Sequence, residues 1–417
     1  MDVRITPSRL RGEVCAPPSK SIAHRALICA ALANQHSTVS PVDLSKDMDA
    51  TIGALKAMGA SIVRNGKEVR ITGISAPPQN AEIDCIESGS TLRFLIPVAA
   101  ALGISCRFTG SGRLPERTIG PYFDAFLSKG VLLDRSFVPL QLSGSLQPGS
   151  YTLPGDISSQ FITGLLFALP LLNGESAIHL STALESAPYI DLTIDVLRKF
   201  GIKIHCQDSD FFIPGGQTYL PQAFSVEADF SNAAFFLTAA ALGQDVTVSG
   251  LSVKSLQGDR KILEALSALG ASASFNGDRV QMKRPICRPA EIDIRDIPDL
   301  APILCVAAAA VPGRTVLHGT RRLKIKESDR AAAMIDCLTR LGARIWSEYD
   351  SLIIDGGTPL HGAVVSSYGD HRIVMAMAIA ALLADGPIVI EQAQAVDKSY
   401  PGFFEDFKLL GGVVHVL

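Results

Sequence analysis

Apolar and polar positions along this chain fall into two alternating series of helical segments. In the first series, apolar residues recur at helical spacing, a glycine ends the run, and a short strand and hairpin follow. Such segments start near Asp49, Thr118, Tyr189, Asp259, Ser328 and Ser399. Ile52-Gly53-Ala54-Leu55-Lys56-Ala57-Met58-Gly59-Ala60 matches Ile262-Leu263-Glu264-Ala265-Leu266-Ser267-Ala268-Leu269-Gly270-Ala271, and a further copy ends in Leu341-Gly342-Ala343. The glycine is expected to take the left-handed conformation that closes a helix, and the alternation after it has strand period. Lys56, Lys199, Lys261 and Lys408 keep one side polar, so these helices are expected to face solvent there.

The second series is nearly all apolar and runs into a strand each time: Ala26 to Val39, Leu92 to Phe108, Phe161 to His179, Ala233 to Val248, Pro302 to Leu317 and Ile373 to Ile390. Helices this apolar must be buried on most sides. Outer helix, strands, inner helix and strand, repeated six times, predict an α/β protein of two similar three-unit domains whose buried helices are wrapped by sheets. The boundary is expected between the third and fourth units, with Gly215-Gly216-Gln217 through Ala228 as the crossover. The strand expected over Asp2 to Glu13 is left over. The chain is therefore expected to start in one domain, residues 1–14 with 228–417, build the other over 15–227, and return, so that two crossings make a hinge.

Composition narrows the class. Of 417 residues, 47% are hydrophobic and only 19% charged, with 35 glycines, enough apolar material for two cores. A net charge of -3 argues against a nucleic-acid or polybasic membrane surface, so clustered basic residues are expected to serve a small anionic ligand. The eight cysteines show no metal spacing and read as reduced core residues of a cytoplasmic protein. Met1 to Val14 lacks a signal peptide's apolar stretch, and the longest apolar runs fall short of the roughly 20 residues that cross a bilayer.

The polar residues that introduce the apolar helices bear the chemistry. They are Ser19-Lys20-Ser21-Ile22-Ala23-His24-Arg25, Ser88-Gly89-Ser90-Thr91-Leu92-Arg93, Ser158-Ser159-Gln160, Asp229-Phe230-Ser231-Asn232, Asp296-Ile297-Pro298-Asp299 and Gly369-Asp370-His371-Arg372. Equivalent positions of a repeat point the same way, so these helix starts are expected to converge where their N–H groups bind anions. Serine and aspartate there are ordinary N-caps. Lys20, Arg25, Arg93 and Arg372 are not, because a buried charge without a partner costs several kcal/mol. A phosphate or carboxylate is the natural partner, and its bidentate geometry favours Arg. Basic loops also precede outer helices: Arg113 to Thr118, Asp397 to Pro401, and Lys326-Glu327-Ser328-Asp329-Arg330, where Ser328 is expected as N-cap with Lys326 and Glu327 at the helix mouth. No Walker loop, dinucleotide glycine fingerprint or zinc helix is present.

Several of these stretches together resemble the 5-enolpyruvylshikimate-3-phosphate synthase family nearly end to end: Pro18-Ser19-Lys20-Ser21 with Arg25, Gly89-Ser90-Thr91-Leu92-Arg93, Pro115-Glu116-Arg117-Thr118-Ile119-Gly120, Ser158-Ser159-Gln160-Phe161, Lys326-Glu327-Ser328-Asp329-Arg330 and Asp370-His371-Arg372. The resemblance implies the enolpyruvyl transferase fold, an inside-out α/β barrel of two domains, each of three βαβαββ units, closing on a hinge. It implies transfer of the enolpyruvyl group of phosphoenolpyruvate to the 5-hydroxyl of shikimate 3-phosphate through a tetrahedral intermediate. The enzyme is expected to be a cytoplasmic monomer without cofactor, metal, nucleic acid or membrane partner, and glyphosate is expected to compete with phosphoenolpyruvate. By resemblance Lys20, Ser21, Arg25, Ser158, Ser159, Gln160, Ser186, Tyr189, Asp299 and Lys326 hold shikimate 3-phosphate, and Lys20, Gly89, Arg117, Gln160, Arg330, Arg372 and Lys398 surround phosphoenolpyruvate. Asp299 is then the base for the hydroxyl and Glu327 the proton donor to carbon, with Lys20 and Lys398 stabilising developing charge and the leaving phosphate. One departure is Arg322, where some members carry an Asn that binds the shikimate phosphate. The sister transferase acting on UDP-N-acetylglucosamine usually has a reactive Cys in the loop before the second outer helix, and Thr109 to Thr118 contains none.

Overall fold

A computed structural model describes residues 1–417. Twelve α-helices follow one another as the two apolar patterns require: α1 (Lys20–Leu32), α2 (Lys46–Ala57), α3 (Gly89–Ala101), α4 (Gly120–Ala125), α5 (Ser159–Ala168), α6 (Ala187–Lys199), α7 (Phe230–Ala241), α8 (Ile262–Ala268), α9 (Ala301–Ala310), α10 (Arg330–Arg340), α11 (His371–Ala380) and α12 (Phe403–Leu409). The odd-numbered helices are the apolar series, and α7 and α11 are buried along their whole length. The even-numbered ones bury one stripe and leave residues such as Lys56, Lys199 and Lys408 in water. The glycines that close five of the outer helices, Gly59, Gly201, Gly270, Gly342 and Gly411, all have positive φ, which a side chain there would strain, whereas after α4 the chain makes a further turn through Ser128 (φ 62°) before it reaches Gly130. No helix is long and apolar enough to cross a membrane.

Each unit has a four-stranded sheet of constant order, on which α1, α3, α7, α9 and α11 pack in their own units, while α5 packs chiefly on α3 and α6. In the α3 unit, Asn80–Asp84 leads into the helix and pairs in parallel with Ser105–Thr109 after it, and the hairpin Val131–Leu133 and Leu140–Gly144 completes the sheet antiparallel. The six sheets are open, each hydrogen-bonded only within itself.

Two sheets take their first strand from a distant part of the chain. Arg11–Cys15 pairs in parallel with Asp245–Ser249 after α7, and Ala223–Ser225 pairs in parallel with His36–Ser40 after α1. The residues before Glu13, expected as one strand, form two strands in different sheets. Val3–Thr6 lies between Ile388–Glu391 and Val413–Val416, and Arg11–Cys15 belongs to the fourth unit. Pro7, immediately after the first strand, has no N–H for a ladder, and the chain leaves the sheet there.

The contacts divide the chain into Met1–Pro17 with Glu227–Leu417, and Pro18–Val226. Cys15 and Ala16 stay with the first unit because Cys15 pairs with Ser249 and the Ala16 N–H donates to the Ser249 carbonyl. Each unit has its own core, around Phe235, Leu304 and Val374 in one and Leu27, Leu95 and Phe161 in the other. A buried Leu, Val or Phe contributes roughly 1.5–3 kcal/mol, so either core is large enough to hold its unit together.

Candidate functional site

In the unit Pro18–Val226, polar residues at the starts of α1, α3, α5 and α6 form one connected group. Arg25, on the first turns of α1, is 3% exposed. Its Nε donates to Thr193 Oγ1 (2.8 Å), Nη1 to the Ser21 carbonyl (2.7 Å) and Nη2 to the Tyr189 carbonyl (3.1 Å), and the guanidinium lies 5.3 Å from the Phe94 ring centroid. All of these partners are neutral. Burial pushes the guanidinium down to about 10, an effect that a nearby anion would reverse. Lys20 at the start of α1 instead meets Asp47 Oδ2 at 2.7 Å. Ser186 precedes α6 in a left-handed conformation (φ 59°) and is buried, one turn from Tyr189.

Thr193 Oγ1 lies 3.0 Å from Thr163 Oγ1, which ties α6 to α5. At the start of α5 the Ser158 hydroxyl accepts from the Gln160 N–H, and Ser159 is buried. The Gln160 side chain bridges to α3, with Oε1 accepting from Arg93 Nη1 at 2.7 Å and Nε2 donating to Ser90 Oγ at 2.9 Å. Arg117 reaches the same helix start. A Cβ added to Gly89 would lie 2.8 Å from its Nη1 and 2.9 Å from its Cζ, so the guanidinium rests on backbone that only glycine leaves bare.

The unit built from Met1–Pro17 and Glu227–Leu417 holds a denser group centred on Arg330, which is 1% exposed. Its Nη1 donates to Asp299 Oδ1 (2.6 Å), Nη2 to Glu327 Oε2 (2.8 Å) and Nε to Asp370 Oδ2 (2.8 Å). Asp299 also meets Lys326 Nζ at 3.3 Å and Arg372 Nη2 at 3.0 Å. Burial alone would raise the Asp299 carboxyl, but Arg372, Lys326 and Arg330 outweigh it and hold the group well below the usual carboxylate range. The same contest leaves Asp370 below its ordinary value, chiefly through Arg330. Lys326 is pushed down by burial, with Asp299 opposing. Lys398 is buried and its Nζ donates to the Gly369 carbonyl (2.7 Å), beside the Asp370 that caps α11.

The expected site residues divide between the two units: Lys20, Ser21, Arg25, Gly89, Arg117, Ser158, Ser159, Gln160, Ser186 and Tyr189 lie in one, and Asp299, Lys326, Glu327, Arg330, Arg372 and Lys398 in the other. Ser328 is not the N-cap expected for α10. Asp329 takes that place, its Oδ1 accepting from the Ala332 N–H at 3.0 Å, and the Ser328 hydroxyl donates to Asp370 Oδ2 at 3.1 Å. A buried carboxylate needs every donor within reach, and that demand draws Ser328 away from the helix. Arg322 is buried and donates to the Arg295 carbonyl at 3.1 Å.

Asp370, an N-cap by its sequence, also holds Arg330, and Asp47 of α2 pairs with Lys20. The sequence signal for Asp370 is its place at an inner-helix start, as Asp299 lies in the turn before α9. The loop before α4 has no Cys, and Cys106, on the preceding strand, is buried, which pushes its thiol up to about 12.

The family model for EPSP synthase (3-phosphoshikimate 1-carboxyvinyltransferase) matches residues 5–407. A 3-phosphoshikimate 1-carboxyvinyltransferase of Clostridium kluyveri is 44% identical over 99% of this chain and 98% of its own length. One of Clostridium novyi is 41% identical with the same coverage. Among solved structures, EPSP synthase from Acinetobacter baumannii superposes with a TM-score of 0.81 at 26% identity over 100% of both chains. The enolpyruvyl transferase NikO from Streptomyces tendae shares the fold, with a TM-score of 0.78 at 17% identity over 99% of this chain and 98% of its own.

Proposed function

Because this chain belongs to the EPSP synthase family, the 3-phosphoshikimate 1-carboxyvinyltransferases, we propose that the two polar groups are the working parts of that reaction. The enzyme transfers the carboxyvinyl group of phosphoenolpyruvate to the 5-hydroxyl of shikimate 3-phosphate and releases phosphate, a step of aromatic amino acid biosynthesis. The reading of the site rests on one observation: two carboxylates of different helix starts, Asp299 and Glu327, are bound by the same buried Arg330.

The hydroxyl oxygen must bond to the substituted carbon of the double bond while its proton departs and another reaches the methylene carbon. Asp299, held ionised by three cations, is the acceptor for the hydroxyl proton. Glu327 is the donor to carbon. An anionic substrate that draws on Arg330 weakens its hold on Glu327 and frees that carboxyl to pass a proton. In the second step the methyl group returns its proton to Glu327, the double bond re-forms, the C–O bond to phosphate breaks and the proton taken up by Asp299 leaves with the released phosphate, so protons balance over the cycle. Lys20 and Lys398 are the cations assigned to stabilise the developing charge and the leaving phosphate.

Arg25, a buried cation among neutral partners, is suited to the phosphate of shikimate 3-phosphate, with Ser21, Ser158, Ser159, Gln160, Ser186, Tyr189 and Lys326 sharing that substrate. Gly89, Arg117, Gln160, Arg330, Arg372 and Lys398 serve phosphoenolpyruvate. We place the enzyme in the cytoplasm as a monomer. Eight free cysteines, five of them buried, suit a reducing compartment, and all proposed site residues come from one chain.

The test is phosphate release from mixed phosphoenolpyruvate and shikimate 3-phosphate. Release only when UDP-N-acetylglucosamine replaces the shikimate substrate would overturn the reading, as would tight binding of both ligands without release.

One further result is expected. Gly89→Ala forces the end of the flexible Arg117 side chain aside, not backbone, so the fold is retained while KM for phosphoenolpyruvate rises roughly ten- to a hundredfold. Steady-state kinetics beside a melting curve check this, and an unchanged KM removes Arg117 from the phosphoenolpyruvate site.

A further inference from the structure

Asp259 lies in the short 3-10 turn Gly258–Lys261 that leads into α8, the outer-helix mouth equivalent to the one that supplies Glu327. It is 1% exposed, and no cation pairs with it. Its Oδ2 accepts a short hydrogen bond from the Ser231 hydroxyl on the first turn of α7, and its Oδ1 has no hydrogen-bond partner. Three charged groups from other elements act on it: Asp299 before α9, Arg372 on α11 and Asp229, the N-cap of α7, whose own Oδ1 accepts from the Asn232 N–H at 2.9 Å. On its own turn Lys261 is engaged elsewhere, at 3.0 Å from Asp296.

A buried carboxylate oxygen with no donor is costly, whereas a carboxylic acid OH at that position leaves only a weak neutral donor unpaired. Asp299 is held ionised by Arg372, Lys326 and Arg330, so of this like-charged pair Asp259 is the member that keeps a proton. Burial first and Asp299 second push its carboxyl up to about 7, while Arg372 and the Ser231 hydroxyl oppose them.

We propose that Asp259 is a positioning residue for the transferase reaction, a neutral acid that keeps the Asp299–Arg372 group receptive to the phosphoenolpyruvate anion and whose ionisation weakens that binding. The inference rests on the assignment of Arg372 to phosphoenolpyruvate above. The sign follows directly. Below its pKa Asp259 is neutral and the cations are available to substrate; above it, one more negative charge competes for Arg372 and repels the incoming anion.

The experiment is the KM for phosphoenolpyruvate from about pH 6 to pH 8.5 in wild type, Asp259→Asn and Ser231→Ala. Substrate ionisation is common to all three and cancels in their ratios. Wild-type KM is expected to rise roughly tenfold across the range relative to Asp259→Asn, since a buried unit charge that interacts with Arg372 acts at this scale. Asp259→Asn imitates the protonated acid, so its KM at about pH 6 stays within roughly threefold of wild type. Ser231→Ala removes the donor that favours the ionised form and should move the rise to higher pH. Parallel wild-type and Asp259→Asn profiles overturn the inference. So does a Ser231→Ala rise displaced to lower pH, a readout that survives if the Asn variant does not fold. Wild type that releases no phosphate would defeat the functional assignment instead, a distinct result.

Discussion

Glu327→Gln is expected to lower turnover at least about a hundredfold while leaving KM for both substrates within a few-fold of wild type. The substitution keeps the side chain's shape and an oxygen that can accept from Arg330 Nη2, now 2.8 Å from Glu327 Oε2. The ability to give a proton to the methylene carbon is lost. A residue that only held substrate would raise KM instead. Turnover in deuterated water supplies a second readout, because the passage of substrate through a methyl intermediate admits solvent deuterium into the carboxyvinyl group, and that exchange should fall with the rate. Near-normal turnover in the variant would remove Glu327 from the proton-donor role and leave it as one of three counterions to Arg330.

The architecture was legible from sequence because it repeats. Helical spacing followed by a glycine occurs six times, and one αL glycine per repeat is a local requirement that does not depend on distant contacts. Val3–Thr6 and Arg11–Cys15 were not separable by that route. Both read as extended, and only pairing with strands hundreds of residues away assigns them to different sheets. The site divides along the same line. Glu327 and Arg330 are three residues apart at one helix mouth, so their pairing is nearly local. Asp299 and Asp370 reach the same guanidinium from 31 and 40 residues away, and sequence alone offered only their equivalent places in the repeat. Ser328 shows the limit of local rules. It is a good N-cap in isolation, yet the buried Asp370 outcompetes the helix for its hydroxyl.

Arg330→Met is expected to cost both activity and stability, because it withdraws one cation from three carboxylates at once. Breaking a buried ion pair from one side typically costs about 3–5 kcal/mol. For a unit of this size that corresponds to a fall in Tm of roughly 10 °C. The pH dependence identifies the cause. In wild type Asp299 and Asp370 are held below their unfolded values, so they add stability above about pH 4 and lose it as pH falls through their folded values. Without Arg330, burial dominates at Asp370, which is 0% exposed, and its carboxyl shifts upward. The variant's penalty is then largest near neutrality and shrinks as acid protonates that group. Melting curves of the two proteins at pH 7 and at about pH 4 should therefore converge, and the variant should lose measurable transfer of the carboxyvinyl group. A Tm difference of the same size at both pH values would mean that Arg330 stabilises the unit through packing, and that the carboxylates around it are neutralised by Lys326 and Arg372 instead.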